Sequence, residues 1–366
     1  TIIKDLMLLH TKSRVIQNLT VGIIQLEKSL KVNEKEISTV LILLVPDKAD
    51  EKALETMGVL SESIIENTNL LDILHQGSKA EIYLELEKKL IVVVFMESVS
   101  NVNQIENLEQ NTFVGKPEFV NSSVTFRGKG NLFFCERDVK LVNSSIHFEG
   151  SNSLVYLSST PDSQYPLNLQ VFQDSVIYFG RESHMTAPVN VNVQEHQNLI
   201  IGNDCNLGSG TNIRTAFAYP IYSSKTKQRV NYPGSVLIGD HVWLGHLAYI
   251  SSGALLGSGS IVDNNAYVPS NCKIPSNSFL SGNPVKIIQD EVFFTKDYLG
   301  GFNESSSEKV NNYASDVFIY EVVPEESLYF PKIDEILKSL NVDDSLEFIQ
   351  KLFVHNNRKN RFAIRS

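Results

Sequence analysis

The chain has 366 residues and a formal charge of −10, from 32 Lys and Arg against 42 Asp and Glu. That balance disfavours a general nucleic-acid binder, and the length admits two or three folding units. The longest apolar runs, Val40–Val45 and Leu90–Met96, fall well short of the roughly 20 residues a membrane span needs, and the first residues lack a signal-peptide pattern. Cys135, Cys205 and Cys272 are odd in number and far apart, so they read as reduced core residues, the state expected of a cytoplasmic protein.

Residues 1–112 read as an α/β accessory domain. Thr39–Val45 is an apolar run closed by Pro46 and Asp47, which fits a buried strand. Ser61 is positioned to cap a helix with Ile64, Ile65, Leu71 and Leu74 on its apolar side, ending at Gly77. Ile82, Leu84 and Leu86 alternate with polar neighbours ahead of the 90–96 run, as in a strand pair. No phosphate loop or metal-ligand spacing occurs here, and packing or oligomerisation is the expected role.

Past Gln110 the texture changes to short β-rich pieces separated by Gly, Asn and Ser. N-S-S-V-T-F-R-G from Asn121 is echoed by N-S-S-I-H-F-E-G from Asn143 and, more weakly, by D-S-V-I-Y-F-G from Asp174. Repeats of about 20 residues suit successive coils of a solenoid. A regular frame begins at Ile201, breaks after Thr215, and leaves 216–234 as an excursion from the coil. An excursion of that length in a compact domain is usually functional.

From Ile238 to Val285 the chain reads in sixes. The first place is always aliphatic, at Ile238, Leu244, Ile250, Leu256, Val262, Val268, Ile274 and Leu280. The fifth is small or compact, from Val242, Ala248 and Ala254 through Ser260, Ala266, Cys272 and Ser278 to Pro284. A period of six fits neither a helix nor a flat strand, so each block is a short strand plus a turn and three blocks make one triangular coil. The solenoid is expected over 113–290. A helical extension over 291–366 follows, with stripes at Ile333, Ile336, Leu337 and Leu340 and at Leu346, Ile349, Leu352 and Phe353. Its tail, with Arg358, Lys359, Arg361 and Arg365, reads as solvated charge.

The runs N-L-I-I-G-N-D-C from Asn198, I-R-T from Ile213, I-G-D-H-V-W-L-G from Ile238, G-S-G-S-I-V from Gly257, I-P-S-N from Ile274 and S-G-N-P-V-K-I-I from Ser281 resemble the bacterial hexapeptide-repeat acyltransferases. The nearest branch is the O-acetyltransferases of capsule, lipopolysaccharide and sialic-acid-type glycans. The resemblance covers about 198–288 specifically and both ends not at all. It implies a mainly β fold, a left-handed parallel β-helix with the α/β unit before it and helices after it. It also implies a homotrimer, a glycan acceptor, acetyl-CoA as co-substrate in a groove between neighbouring prisms, and no metal.

Such a reaction needs a group to take the proton of a sugar hydroxyl as it attacks a thioester, and a fixed donor to meet the oxyanion. In the resembling family a His on the excursion takes that proton, shortly before an Ile-Tyr pair. Here the run is Thr215-Ala216-Phe217-Ala218-Tyr219-Pro220-Ile221-Tyr222, so Tyr219 stands where the His is expected and Phe217 where an acidic neighbour is. An unperturbed phenol is ionised only about one part in a thousand at pH 7. His246 is therefore the candidate for a relocated base, His241 the second, and His184 and His196 weaker ones. The resemblance places Trp243 and Tyr222 beside the acceptor. It places Ser252, Gly253, Ser258, Gly282, Asn283 and Lys286 along the coenzyme. The leading reading is an acetyl-CoA-dependent O-acetyltransferase of a bacterial surface glycan. The alternatives are a silent hexapeptide protein with a binding role in polysaccharide assembly, and an N-acyltransferase on a nucleotide-linked amino sugar.

Overall fold

The computed structural model describes residues 97–161 and 164–365 and, in the first 96, residues 2–3, 5–13, 20–33, 35–46, 68–78, 81–82 and 96. It divides into two compact units, Thr1–Met96 and Glu97–Ser366. The break expected near residue 112 falls earlier because Glu97–Val99 pairs antiparallel with Ser123–Phe126 and so belongs to the solenoid.

In the first unit, strands Ile2–Ile3, Leu6–Ser13, Thr20–Val32 and Lys35–Pro46 form one sheet in the order 1-2-4-3, with the second and fourth parallel. The expected strand at Thr39–Val45 is its most buried member: Thr39, Leu41, Leu43 and Val45 turn inward at period two. Helix Thr68–Gln76 contributes Leu74 to the core formed with Leu6, Leu8 and Leu41. It ends at Gly77, where a Cβ would sit 2.5 Å from the Ile73 carbonyl oxygen. The start expected at Ser61 lies outside the described residues, as do Leu84, Leu86 and 90–95, while Ile82 is helical rather than extended.

The second unit is a parallel β-solenoid with three faces. The first face runs from Thr112–Val114 to Lys273–Ile274 and the third from Ser123–Phe126 to Tyr267–Val268. The second begins as Glu118–Val120 beside Lys140–Val142 and resumes from His184–Met185 to Phe279–Gly282. Early coils repeat every 22 residues, as in the pairing of Ser145 with Ser123. Late coils repeat every 18, three hexapeptides, as in the pairing of Trp243 with Ile261. The weak echo at Asp174 lies on a different face from its supposed partners: Val176–Phe179 pairs with Leu154–Leu157.

All eight aliphatic first-place residues from Ile238 to Leu280 are buried, and they form one core with the fifth-place residues Val242, Ala248, Ala254 and Ala266, against which Cys272 packs. Corners close in the left-handed backbone region, where Asn, Asp and Gly are tolerated best. Asp204, His241, Gly259 and Asn277 occupy it on one edge, and Gly210, Leu247 and Asn265 on the next. The frame departs from expectation at its last block, because Pro284 is exposed and Val285–Gln289 folds back antiparallel on Phe279–Gly282.

Strands of the first face are buried on both sides. Val155 and Leu157 point into the prism, while Leu154, Tyr156, Val176, Tyr178, Ile200 and Leu237 point outward into a second core. Helices Phe330–Leu337 and Val342–Ile349 cover that outer side with Phe330, Ile333, Leu337 and Ile349, and Phe353 and Phe362 complete it. Fully burying each such side chain is worth about 1.5–3 kcal/mol. Residues 291–366 are therefore part of the solenoid's unit rather than a separate domain. The tail is also not simply solvated. Arg361 is 1% exposed, with Nε and Nη2 donating to Asp240 at 2.8 and 2.7 Å and Nη1 donating to the carbonyls of Phe353 and Asn356.

Candidate functional site

A groove of about 1020 Å³ lies on the second face of the solenoid unit. Its floor is set by the hexapeptide frame: His184, Asn206 and Trp243 pair across successive coils, each just before an inward Met185, Leu207 or Leu244. Residues at that place must point outward, because the next residue points in. Sequence reasoning singled out Trp243 but ranked His184 low and passed over Asn206. Their shared place in the frame is the signal that links them.

The other wall is the strap Phe294–Gly300, which sequence reasoning did not assign to the site. His241 holds it. The ring lies between Phe294 and Phe318, with centroids 4.2 and 4.0 Å away and planes within 9° and 8° of parallel. Nδ1 meets Asp204 Oδ2 at 2.6 Å and Nε2 donates to the Phe294 carbonyl at 2.9 Å. Both nitrogens are engaged and the side chain is buried, so in this arrangement His241 anchors the strap and presents no free ring nitrogen to the groove. Lys296 closes the same corner through Asp204 Oδ1 and, at 3.1 Å, the Glu182 carbonyl. Burial pushes the Asp204 carboxyl up, but hydrogen bonds from His241 and Lys296 outweigh it and hold Asp204 below the usual carboxylate range.

His246 lines the groove and is exposed, as expected. Its Nδ1 accepts the Ser209 backbone N–H at 3.1 Å. A ring nitrogen that accepts carries no proton, so the neutral ring holds its proton on Nε2, the atom left to face a ligand. In that tautomer His246 is suited to donating a hydrogen bond to a substrate oxygen. His196 stands on another edge, with Nδ1 3.1 Å from Asp174 Oδ2.

The excursion carries Tyr219, 81% exposed, and Tyr222, which with Phe217 and Arg229 lines a separate cavity of about 430 Å³. The Tyr222–Arg229 bridge and the Val230 N–H bonded to the Ile221 carbonyl give it hairpin form. Arg229 grips Glu195 with two hydrogen bonds of 2.6 and 2.7 Å. It leaves the third face at Thr215, whereas His246 precedes that face, so neither cavity is lined by both Tyr219 and His246.

The six residues expected along the coenzyme fall on three different edges. Ser252 is buried, bonded to the Ser270 hydroxyl at 3.0 Å, beside Gly253 between the third and first faces. Ser258 is buried between the first and second faces, its hydroxyl accepting the Asp240 N–H and its own N–H donating to Phe362, so the tail covers it. Gly282, Asn283 and Lys286 share the exposed terminal hairpin. One chain thus does not gather the six into a single site; Gly282, Asn283 and Lys286 lie together, apart from the Ser252–Gly253 corner and from Ser258. Burial pushes the thiols of Cys135 and Cys205 up to about 12, which suits inert core residues. Among the described residues, no group of three or more His, Cys, Asp or Glu could hold a metal ion, and no helix is long and apolar enough to cross a membrane.

No family model matches the chain. A polysialic acid O-acetyltransferase of Neisseria meningitidis is 25% identical over 158 residues, 43% of this chain and 70% of that protein. Another protein of that name, from Escherichia coli O1:K1 / APEC, is 31% identical over 141 residues, 38% of this chain and 45% of that protein, so the match spans under half of it. Among solved structures, the polySia-specific acetyltransferase NeuO is 26% identical with a TM-score of 0.48, covering 55% of this chain and 93% of that one. The polysialic acid O-acetyltransferase OatWY is 22% identical with a TM-score of 0.44, covering 54% and 95%.

Proposed function

We propose that the chain is a hexapeptide-repeat acyltransferase and that it transfers acetyl from acetyl-CoA to a hydroxyl of a bacterial surface glycan of the sialic-acid or capsule type, the acceptor class named for the relatives it resembles. The observation that carries this reading is the second-face groove, where His184, Asn206, Trp243 and His246 line the wall built by the repeat itself. An aromatic face among polar groups suits a sugar, whose ring is apolar above and below and polar at its rim.

In the reaction the hydroxyl oxygen bonds to the thioester carbonyl carbon and the carbon–sulfur bond breaks. The hydroxyl proton ends on the departing sulfur. Within this chain Trp243 supports the acceptor ring, and His246, donating from Nε2, fixes an acceptor oxygen or meets the oxyanion. The coenzyme lies along the Gly282–Lys286 hairpin, where the Lys286 ammonium is placed for a phosphate. The reading includes a homotrimer: Tyr222 and Trp243 line separate cavities of one chain, and a site that uses both needs a second prism to supply one of them.

The test is acetyl transfer to polysialic acid and to capsule-type glycans, read as product acetyl ester, with sedimentation alongside. Wild-type transfer reduced at least about 100-fold in His246→Ala is expected, that being the scale for loss of a positioned donor. Transfer to no glycan by a folded trimer, while acetyl-CoA is consumed with a nucleotide-linked amino sugar, would replace the O-acyl reading by an N-acyl one.

A further inference from the structure

Tyr298 is 86% exposed although it lies on the strap that walls the groove, and no packing in the core explains where its ring is held. The strap turns at Leu299–Gly301, and the Tyr298 ring lies directly against Gly300. A Cβ built on Gly300 would fall 2.6 Å from two ring carbons and 2.7 Å from the hydroxyl oxygen. A side chain at 300 would meet the far end of the Tyr298 ring, which would have to turn aside. Gly300 thus leaves a cradle in which the exposed ring can lie against the turn of the strap.

The floor presents Trp243, 39% exposed, with part of its ring backed by Phe294 at a centroid distance of 5.5 Å. Phe294 is itself fixed by the His241 stack, so the strap carrying Tyr298 and the floor carrying Trp243 are tied together at one corner. Between them the lining is polar, with Asn206 and His246 on the floor side and Asp297 on the strap. Two aromatics lining one groove, one on the strap and one on the floor, with hydrogen-bonding groups in the same lining suit a pyranose ring: apolar C–H faces above and below, hydroxyls at the edge.

We propose that Tyr298, cradled by Gly300, is a second substrate-binding aromatic that closes on a sugar ring of the acceptor from the side opposite Trp243. This rests on the glycan-acceptor reading above and adds a specificity element supplied by the strap rather than by the repeat. The bound ring stacks between the two aromatics, and the acceptor chain runs along the second face. Tyr298 stabilises the bound sugar without touching the thioester, so its loss raises the acceptor KM and leaves kcat in place.

Trp243 is the single tryptophan of the chain, so its fluorescence reports the groove without any acyl transfer. The whole protein is titrated with polysialic acid oligomers and, as an uncharged probe, with N-acetylglucosamine oligomers, in the absence of acetyl-CoA. A saturable change with at least one probe is expected, with the Kd raised roughly tenfold in Tyr298→Ala and in Gly300→Ala and kept within twofold in Tyr298→Phe. Thermal unfolding should be unchanged in Tyr298→Ala, since the side chain is exposed. Wild-type Kd and KM in Tyr298→Ala would overturn the proposal, as would the absence of any response to both probes. Phe behaving like Ala would overturn the stacking argument, and wild-type affinity in Gly300→Ala would overturn the cradle. Binding that depends on Tyr298 without acetyl transfer would uphold the proposal and count against the transferase reading of the acceptor.

Discussion

The first and second faces of the prism are built from the same repeat and put to opposite uses. On the first, outward places are filled by Leu, Val, Ile and Tyr and roofed by two helices that finish a second core. On the second, the corresponding places hold His184, Asn206 and Trp243, and the chain returns over them only as a strap fastened at one corner. The inward residues are alike on both, so the repeat fixes the scaffold while the outward places decide whether a face is covered or left as a groove.

The harshest way to break the scaffold common to both faces is Ala254→Arg, which forces a charge into a closed corner where Ala254 is fully buried. A loss exceeding about 4 kcal/mol is expected, read as failure to give a cooperative denaturant transition. Asp240→Ala should cost about 3–5 kcal/mol, because it leaves the Arg361 guanidinium buried without its partner. Asp240→Ala combined with Arg361→Leu should recover part of that loss, and a double variant worse than the single one would show that the pair matters only as packing.

Acid separates the faces further. The folded-state pKa of Asp204 is depressed, so its contribution is complete above the ordinary Asp value of about 3.9 and fades as pH falls through the lower folded value. Stability and groove closure should therefore decline on acidification below that ordinary value, and Asp204→Asn should flatten that part of the profile. An acid limb identical in Asp204→Asn would remove Asp204 from the strap's anchorage. At the weak end, Lys332→Ala breaks only an exposed pair with Glu335 on the covering helix, and its unfolding midpoint should move by no more than about 0.5 kcal/mol in free energy.

The regular coils were legible in the sequence because a period of six leaves one aliphatic and one small residue in every block, and Ile238 to Leu280 obey it. The excursion was legible as a lapse in that period. The strap was not, because Phe294, Lys296 and Tyr298 follow no repeat and their roles depend on which corner the chain crosses after the hairpin. Arg361 was misread for a similar reason: its partner Asp240 lies 121 residues away, and a charge near a terminus looks solvated until its contacts are known. The coenzyme residues were chosen by likeness to a family motif, and spacing along the chain did not show that Ser258 turns beneath the tail.

The two ends of the stack carry one more consequence. Glu97–Val99 closes one end of the third face and Val285–Gln289 finishes the second face at the other, and both run antiparallel to the strands they join. A parallel coil can be extended by another parallel coil, but an antiparallel strand presents the wrong direction and register to a newcomer. At those two edges the solenoid therefore offers a further parallel coil no strand of matching direction, which disfavours end-over-end stacking of copies along those faces.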